Sequence, residues 1–118
     1  MSIDPVLWQK ALSQFNEEKF FECHETLEVN WRTEQDEEQK KLLQGIIHMA
    51  AALLHRRRNN KNGYRRQLEK GLIKLKDVRL DVYDEKLRTD LSEFYKTVAA
   101  ETFPHFPKIN FTASEALR

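Results

Sequence analysis

Cysteine is nearly absent, with Cys23 the single one in 118 residues. One thiol cannot close an internal disulfide or furnish the thiolates of a structural zinc site, so packing has to hold the fold together. Glycine and proline number three each, too few for the turn-dense hairpins of an all-β chain. No sign of charge dominates either. The 20 Lys and Arg stand against 19 Asp and Glu, a net charge of +1, which gives no global attraction to nucleic acid or to an anionic membrane. A membrane-length hydrophobic run is also missing. The longest stretch without Asp, Glu, Lys or Arg is Leu42–His55, well short of the ~20 apolar residues that a spanning helix needs. With one cysteine and no recognisable secretory signal, we expect a reducing compartment, the cytoplasm or one like the plastid stroma.

What is present favours helices. One third of the residues are charged, and Leu, Glu, Lys, Gln and Arg fill much of the rest. On a helical wheel, Leu42, Leu43, Ile46, Ile47, Met49, Leu53 and Leu54 cover one broad face of the central run. The opposite face carries Gln44, His48, Ala51 and His55. A helix whose back is small and uncharged is one that other helices cover on several sides. This predicts a central buried helix over 35–58, with Thr33 as its cap, acidic first turns (Glu34, Asp36, Glu37, Glu38) and a basic end (Arg56, Arg57, Arg58).

Ahead of it, Asp4-Pro5 reads as a helix start, and Trp8, Ala11, Leu12 and Phe15 follow at helical spacing to about Asn16. A second helix runs from about Lys19 to Arg32, with Phe20, Cys23, His24, Leu27 and Trp31 facing inward. After it, Asn59–Gly63 reads as a polar turn with Gly63 free to take positive φ. A fourth helix then carries Tyr64, Leu68, Gly71, Leu72 and Leu75, where Gly71 marks the close approach of a neighbour. Asp84 can cap a fifth, with Leu87, Leu91, Phe94, Tyr95 and Val98 inward. Beyond it, Thr102-Phe103-Pro104-His105-Phe106-Pro107 cannot continue a helix and is expected to return over the bundle as an extended strap. The expectation is an all-α bundle of about five helices built from antiparallel hairpins, a single domain over 1–100 followed by a tail over 101–118.

Chemistry is concentrated in one polar constellation. His24 and Glu28 are four residues apart and so lie side by side on the second helix. An antiparallel hairpin places them opposite the second and third turns of the next helix, within reach of Gln44 and His48, with Trp31 near that helix's start and His55 further along. Histidines and carboxylates on facing helices are one way to hold Zn, Mn or Fe in a bundle. His24-Glu25 opens like the zinc-protease motif H-E-x-x-H, but Glu28 stands where the second histidine belongs, so that reading fails. Without any ligand, Glu28 or Gln44 can satisfy a buried His24 and the network then fixes helix packing. The other candidate is the basic stretch 56–66: Arg56, Arg57 and Arg58 with Arg65 and Arg66, either a phosphate or RNA contact or a solvated helix end.

The string Phe20-Phe21-Glu22-Cys23-His24-Glu25-Thr26-Leu27-Glu28 with Trp31, then Gln44-Gly45-Ile46-Ile47, Ala50, Ala51, His55 and Gly63, resembles the domain-of-unknown-function family numbered 309, over roughly residues 6–95. The version here is similar to cyanobacterial or plastid members. The resemblance implies a small all-helical fold and a set of motif positions (His24, Glu25, Leu27, Glu28, Trp31, Gln44, Gly45 and His55), and no activity. His48 departs from it, since relatives often carry Gln there. A Gln still serves a hydrogen-bond network.

These readings converge on a non-enzymatic binding or scaffold domain. Its ligand-binding candidates are His24, Glu25, Glu28, Trp31, Gln44, His48 and His55, and its anion-binding candidates Arg56, Arg57, Arg58, Arg65 and Arg66. No residue is assigned as catalytic, and no metal or cofactor is required. The partner is an unspecified protein or small ligand rather than nucleic acid or membrane, and a homo-oligomer is compatible with the chain. Two alternatives stand beside this. One is a metal-dependent hydrolase in which His24, Glu28 and His48 hold the ion; Glu25, about 100° away from His24 on the wheel, is poorly placed as its base. The other is an RNA or phosphate binder through 56–66.

Overall fold

Apolar residues spaced three and four apart fold here into five helices, with no strand among the described residues. These are α1 (Pro5–Asn16), α2 (Phe20–Thr33), α3 (Glu37–Arg57), α4 (Lys61–Asp77) and α5 (Glu85–Ala99). The computed structural model describes residues 4–77, 85–100 and 108–109, and for residues 85–88 the backbone alone. The expected cap at Asp84, the connection through Leu80–Tyr83 and the aromatic strap 102–107 fall outside that range, as does the inward side chain expected of Leu87.

The start of α1 follows its sequence signal. Asp4 accepts from the backbone N–H of Val6 at 2.9 Å and of Leu7 at 3.3 Å, and Pro5 takes the first helical position. At α3 the expectation needs correction. Thr33 ends α2, and the cap is Asp36, whose carboxylate accepts from Gln39 N at 3.0 Å. Glu34, extended at ψ 131, belongs to the linker rather than the first turn. The turn after α3 also differs. Asn59 takes the left-handed conformation (φ 59), which its short polar side chain tolerates, and Gly63 lies inside α4 with ordinary φ. Gly63 is needed for space: a Cβ there would sit 2.6 Å from His55 Nδ1.

Consecutive helices run antiparallel. Asp4 N donates to Asn30 Oδ1 and Thr26 Oγ1 to Gln14 Oε1, pairing α1 with α2 end to start. Lys40 stands over the Trp31 ring at one end of α2–α3, and Arg57 over the Phe20 ring at the other. Between α3 and α4 the register is set by Lys41–Asp77 at 3.1 Å, Gly45 against Leu75, and Gly71 against Met49 and the Gly45 carbonyl. The close approach expected at Gly71 is therefore mutual, with one glycine on each helix. Lys41 also meets Glu38, and the Asp77 and Glu38 hydrogen bonds raise its pKa above the ordinary lysine value.

The central helix is buried as its wheel implies. Leu42, Leu43, Ile46, Met49, Ala50, Ala52 and Leu53 are fully buried, and all but Ala52 belong to one core with Trp8, Phe15, Phe20, Leu27, Leu91, Phe94 and Val98. Asn16, closing α1, exchanges two hydrogen bonds with Ile109: Nδ2 donates to its carbonyl at 3.0 Å, and Oδ1 accepts its N–H at 2.7 Å. No helix among the described residues is long and apolar enough to cross a membrane.

Cys23 belongs to this core rather than to any reactive surface. It is fully buried, and desolvation of the thiolate pushes its pKa up to about 12. Iodoacetamide will leave Cys23 unmodified in the folded protein and label it only when denaturant unfolds the chain. Labelling of native protein at the rate of a free thiol would place the side chain at the surface.

Candidate functional site

α2, α3 and α4 leave between them a cleft of about 460 Å³. Its apolar lining is Phe21, Ile47, Ala51 and Leu54, with the half-buried Trp31 at one side. Its polar lining comes from all three helices and the turn after α3: His24 and Glu28 on α2, Gln44, His48 and His55 on α3, Arg58, and Gln67 on α4. Six of the seven residues expected to bind a ligand line this single space. The seventh, Glu25, lies just outside it, with Oε1 3.4 Å from His24 Nδ1. Its 100° offset on the wheel thus understates its reach, because a glutamate side chain is long enough to fold back over one turn.

The polar groups do not form one closed network among themselves. His24 Nδ1 is shielded from solvent and makes no hydrogen bond, so neither Glu28 nor Gln44 satisfies it as expected. Trp31 Nε1 is in the same condition. Glu28 pairs instead with Arg32 at 3.5 Å. A buried donor or acceptor left unpaired costs about 1–3 kcal/mol, and two such nitrogens belong to residues that line one cleft.

His48 is satisfied, by a residue that sequence reasoning did not single out. Its Nδ1 lies 2.7 Å from Gln67 Oε1, and since a carbonyl oxygen only accepts, the ring donates through Nδ1. The signal for Gln67 was faint: three residues after Tyr64 it is an uncharged polar position in a helix rich in Lys and Arg. Phe21 was also passed over, although an aromatic residue 55% exposed beside a histidine is itself unusual. His55 Nδ1 accepts from Asn60 Nδ2 at 3.2 Å, while Asn60 Oδ1 accepts Gly63 N and so caps the first turn of α4.

Burial holds the His48 imidazole below its ordinary pKa. The Gln67 bond opposes that shift, and the charges of Lys70, His24 and Lys74 add to it. The neutral ring is therefore the folded form. As pH falls below about 6.5 the unfolded chain binds a proton before the folded chain does, so the stability present above that value declines through the lower folded-state pKa. Melting temperature will drop on acidification from about pH 7.5 to about pH 5.5, and His48→Gln, which keeps an amide for Gln67, will flatten part of that drop. Equal slopes in the two proteins would exclude His48 as a source.

The basic residues disperse. Arg56 donates to the Ala100 carbonyl at 2.7 Å and to Tyr64 Oη at 3.2 Å, and Tyr64 Oη donates to the Val98 carbonyl at 2.6 Å, a tie across α3, α4 and α5. Arg57 turns to the α1–α2 turn and donates to the carbonyl of Glu18, which sits at φ 63. Arg58 faces the first cleft. Arg56 and Arg65 border a second cleft of about 450 Å³ with Lys61, Asn59 and Asn60, and Arg66 is exposed outside both.

Comparison with known proteins follows the same residues. A family model described as Domain of unknown function (DUF309) matches residues 8–67. The chain belongs to this family. The matched span is narrower than the 6–95 inferred from the motifs, yet it contains every residue that lines the first cleft and ends at Gln67. α5 lies beyond it. A relative, the uncharacterized protein YpuF of Bacillus subtilis (strain 168), is 43% identical over 47 residues, 40% of this chain. That alignment spans 27% of YpuF, so this DUF309 chain matches only about a quarter of that protein's length. No solved structure matches.

Proposed function

We propose that this DUF309 chain is a non-enzymatic binding domain whose α2–α3–α4 cleft receives a small molecule with an apolar body and an oxygen that accepts a hydrogen bond. The observation that carries this reading is the pair of solvent-shielded nitrogens without hydrogen bonds, His24 Nδ1 and Trp31 Nε1, on two residues that line one cleft of about 460 Å³. Ligand sites combine an apolar lining with a few convergent polar groups, and the volume falls in the range for small molecules. An indole N–H only donates, so the ligand brings the acceptor. Phe21, Ile47, Ala51 and Leu54 favour an apolar body. The free thiol of Cys23 fits a reducing compartment, the cytoplasm or one similar. An RNA-binding reading draws less support, because Arg56, Arg57 and Arg58 leave the end of α3 in three directions instead of forming one basic face.

The test is nuclear magnetic resonance mapping with a library of small carboxylic acids, amides and ketones. The reading expects binders that move the Trp31 indole N–H signal, and loss of their binding in Ala51→Trp, which fills the cleft. Binders that map elsewhere, or a library without binders, would overturn it.

A further inference from the structure

We propose that His24, Glu25 and Glu28 form a site for a divalent first-row transition-metal ion at the edge of this cleft. The inference deepens the cleft reading, and rests on it for what the ion does there, which is to receive the ligand's oxygen.

One nitrogen of His24 and one carboxylate oxygen each from Glu25 and Glu28 lie within 4.8 Å of one another. The helix explains the convergence. Taking His24 as zero, Glu25 stands at about 100° and Glu28 at about 40° one turn further on, so Glu28 falls between the other two. Donors that share a tetrahedral ion at about 2.1 Å are separated by about 3.4 Å. The His24 Nδ1 to Glu25 Oε1 distance is 3.4 Å. Small rotations of the half-buried Glu28 side chain complete the set.

The independent observation is His24 Nδ1 itself, shielded from solvent and without a hydrogen bond although a carboxylate oxygen stands beside it. Charge decides between ligands. Two carboxylates around a nitrogen lone pair repel an anion and attract a cation. The cation at hand, Arg32, reaches only one oxygen of Glu28, at 3.5 Å, with its side chain 66% exposed, a pair worth little in water. A donor set of one imidazole and two carboxylates suits Zn²⁺, Mn²⁺ or Co²⁺ better than Ca²⁺ or Mg²⁺, which prefer oxygen alone. This set exchanges His48 for Glu25 relative to the one that the sequence offered, because His48 is held by Gln67 on α4. Three protein donors leave coordination positions open, and His24 and Glu28 both line the cleft, so those positions adjoin it.

The test titrates Zn²⁺ by calorimetry, and Co²⁺ by its visible spectrum, into untagged, chelator-stripped protein. The expected result is one Zn²⁺ per chain and a Co²⁺ spectrum of mixed nitrogen and oxygen coordination. His24→Ala should abolish binding, and Glu25→Gln and Glu28→Gln should each weaken it at least tenfold. Glu22→Gln, an exposed acid on the same helix, should leave it unchanged. Helical circular dichroism checks each fold; should His24→Ala not fold, the two isosteric glutamine variants decide. No Zn²⁺ binding, or equal binding in Glu25→Gln and Glu28→Gln, overturns the site. The two readings fail separately. Small molecules that move the Trp31 signal while Zn²⁺ does not bind overturn the metal site alone, whereas stoichiometric Zn²⁺ without any such molecule overturns the cleft reading and supports the site.

Discussion

Phe15→Ala will lower the unfolding free energy by about 3–5 kcal/mol, the range for deleting a buried aromatic side chain. Phe15 has no exposed surface, and its ring meets Phe20 edge-on at 5.3 Å and Phe94 at 5.5 Å. Those two neighbours belong to α2 and α5, so one side chain of α1 joins three helices. Small domains are stable by about 5–15 kcal/mol in total, which makes this loss a large share. Urea unfolding measures it. A shift below about 1 kcal/mol would mean that the neighbouring rings collapse into the vacated space.

Gly45→Leu will also destabilise the fold, by overpacking instead of a cavity. Even a single carbon at that position would stand 2.5 Å from Leu75 Cδ2 and 2.6 Å from Leu75 Cγ, and Leu75 is itself buried. Forcing bulk into a filled contact costs about 1–3 kcal/mol and sometimes more. The gain in helix propensity over glycine, about 1 kcal/mol, offsets only part of that. We expect a net loss of about 1–2 kcal/mol and, because α3 and α4 are wedged apart, a wider cleft with the His48–Gln67 bond broken. Gly71→Ala is the milder counterpart. Its new carbon meets the flexible end of Met49 at 2.7 Å and the Gly45 carbonyl at 3.2 Å, so steric cost and propensity gain nearly cancel. Paired melts of the two variants, with the Gln67 side-chain amide signal as a probe of the cleft, separate these outcomes. Gly45→Leu protein as stable as the parent would refute the close crossing.

The same crossing explains what could be read from the chain beforehand. Gln44, His48, Ala51 and His55 share a face because of the helical repeat alone, and a short linker after Trp31 sets α2 against that face in only one register. Those facts belong to local geometry, and the cleft's α2 and α3 walls followed from them. Gln67 did not, because its position depends on how closely α4 approaches α3, and that distance is decided by two glycines reading each other across the interface. Gly63 misled for a related reason: a glycine beside a polar turn resembles a turn residue, while its actual role is to make room for His55. The nearness of Glu25 to His24 was not legible, because a wheel projects Cα directions and ignores the reach of a long side chain. The Thr33 cap failed against an equally good cap three residues later.

The Asn16 amide has an effect on timing. By presenting both a donor and an acceptor to Ile109, it imitates a strand partner and couples two points 93 positions apart in the chain. Lys108 adds a third bond, from its ammonium to the Asn16 carbonyl at 2.7 Å. The final turn of α1 therefore cannot fray by itself: opening it means releasing Ile109, which is 3% exposed, from the core. In native-state hydrogen exchange the last amides of α1 will open together with that of Ile109, as one cooperative unit, rather than at the fast independent rates of an ordinary helix end.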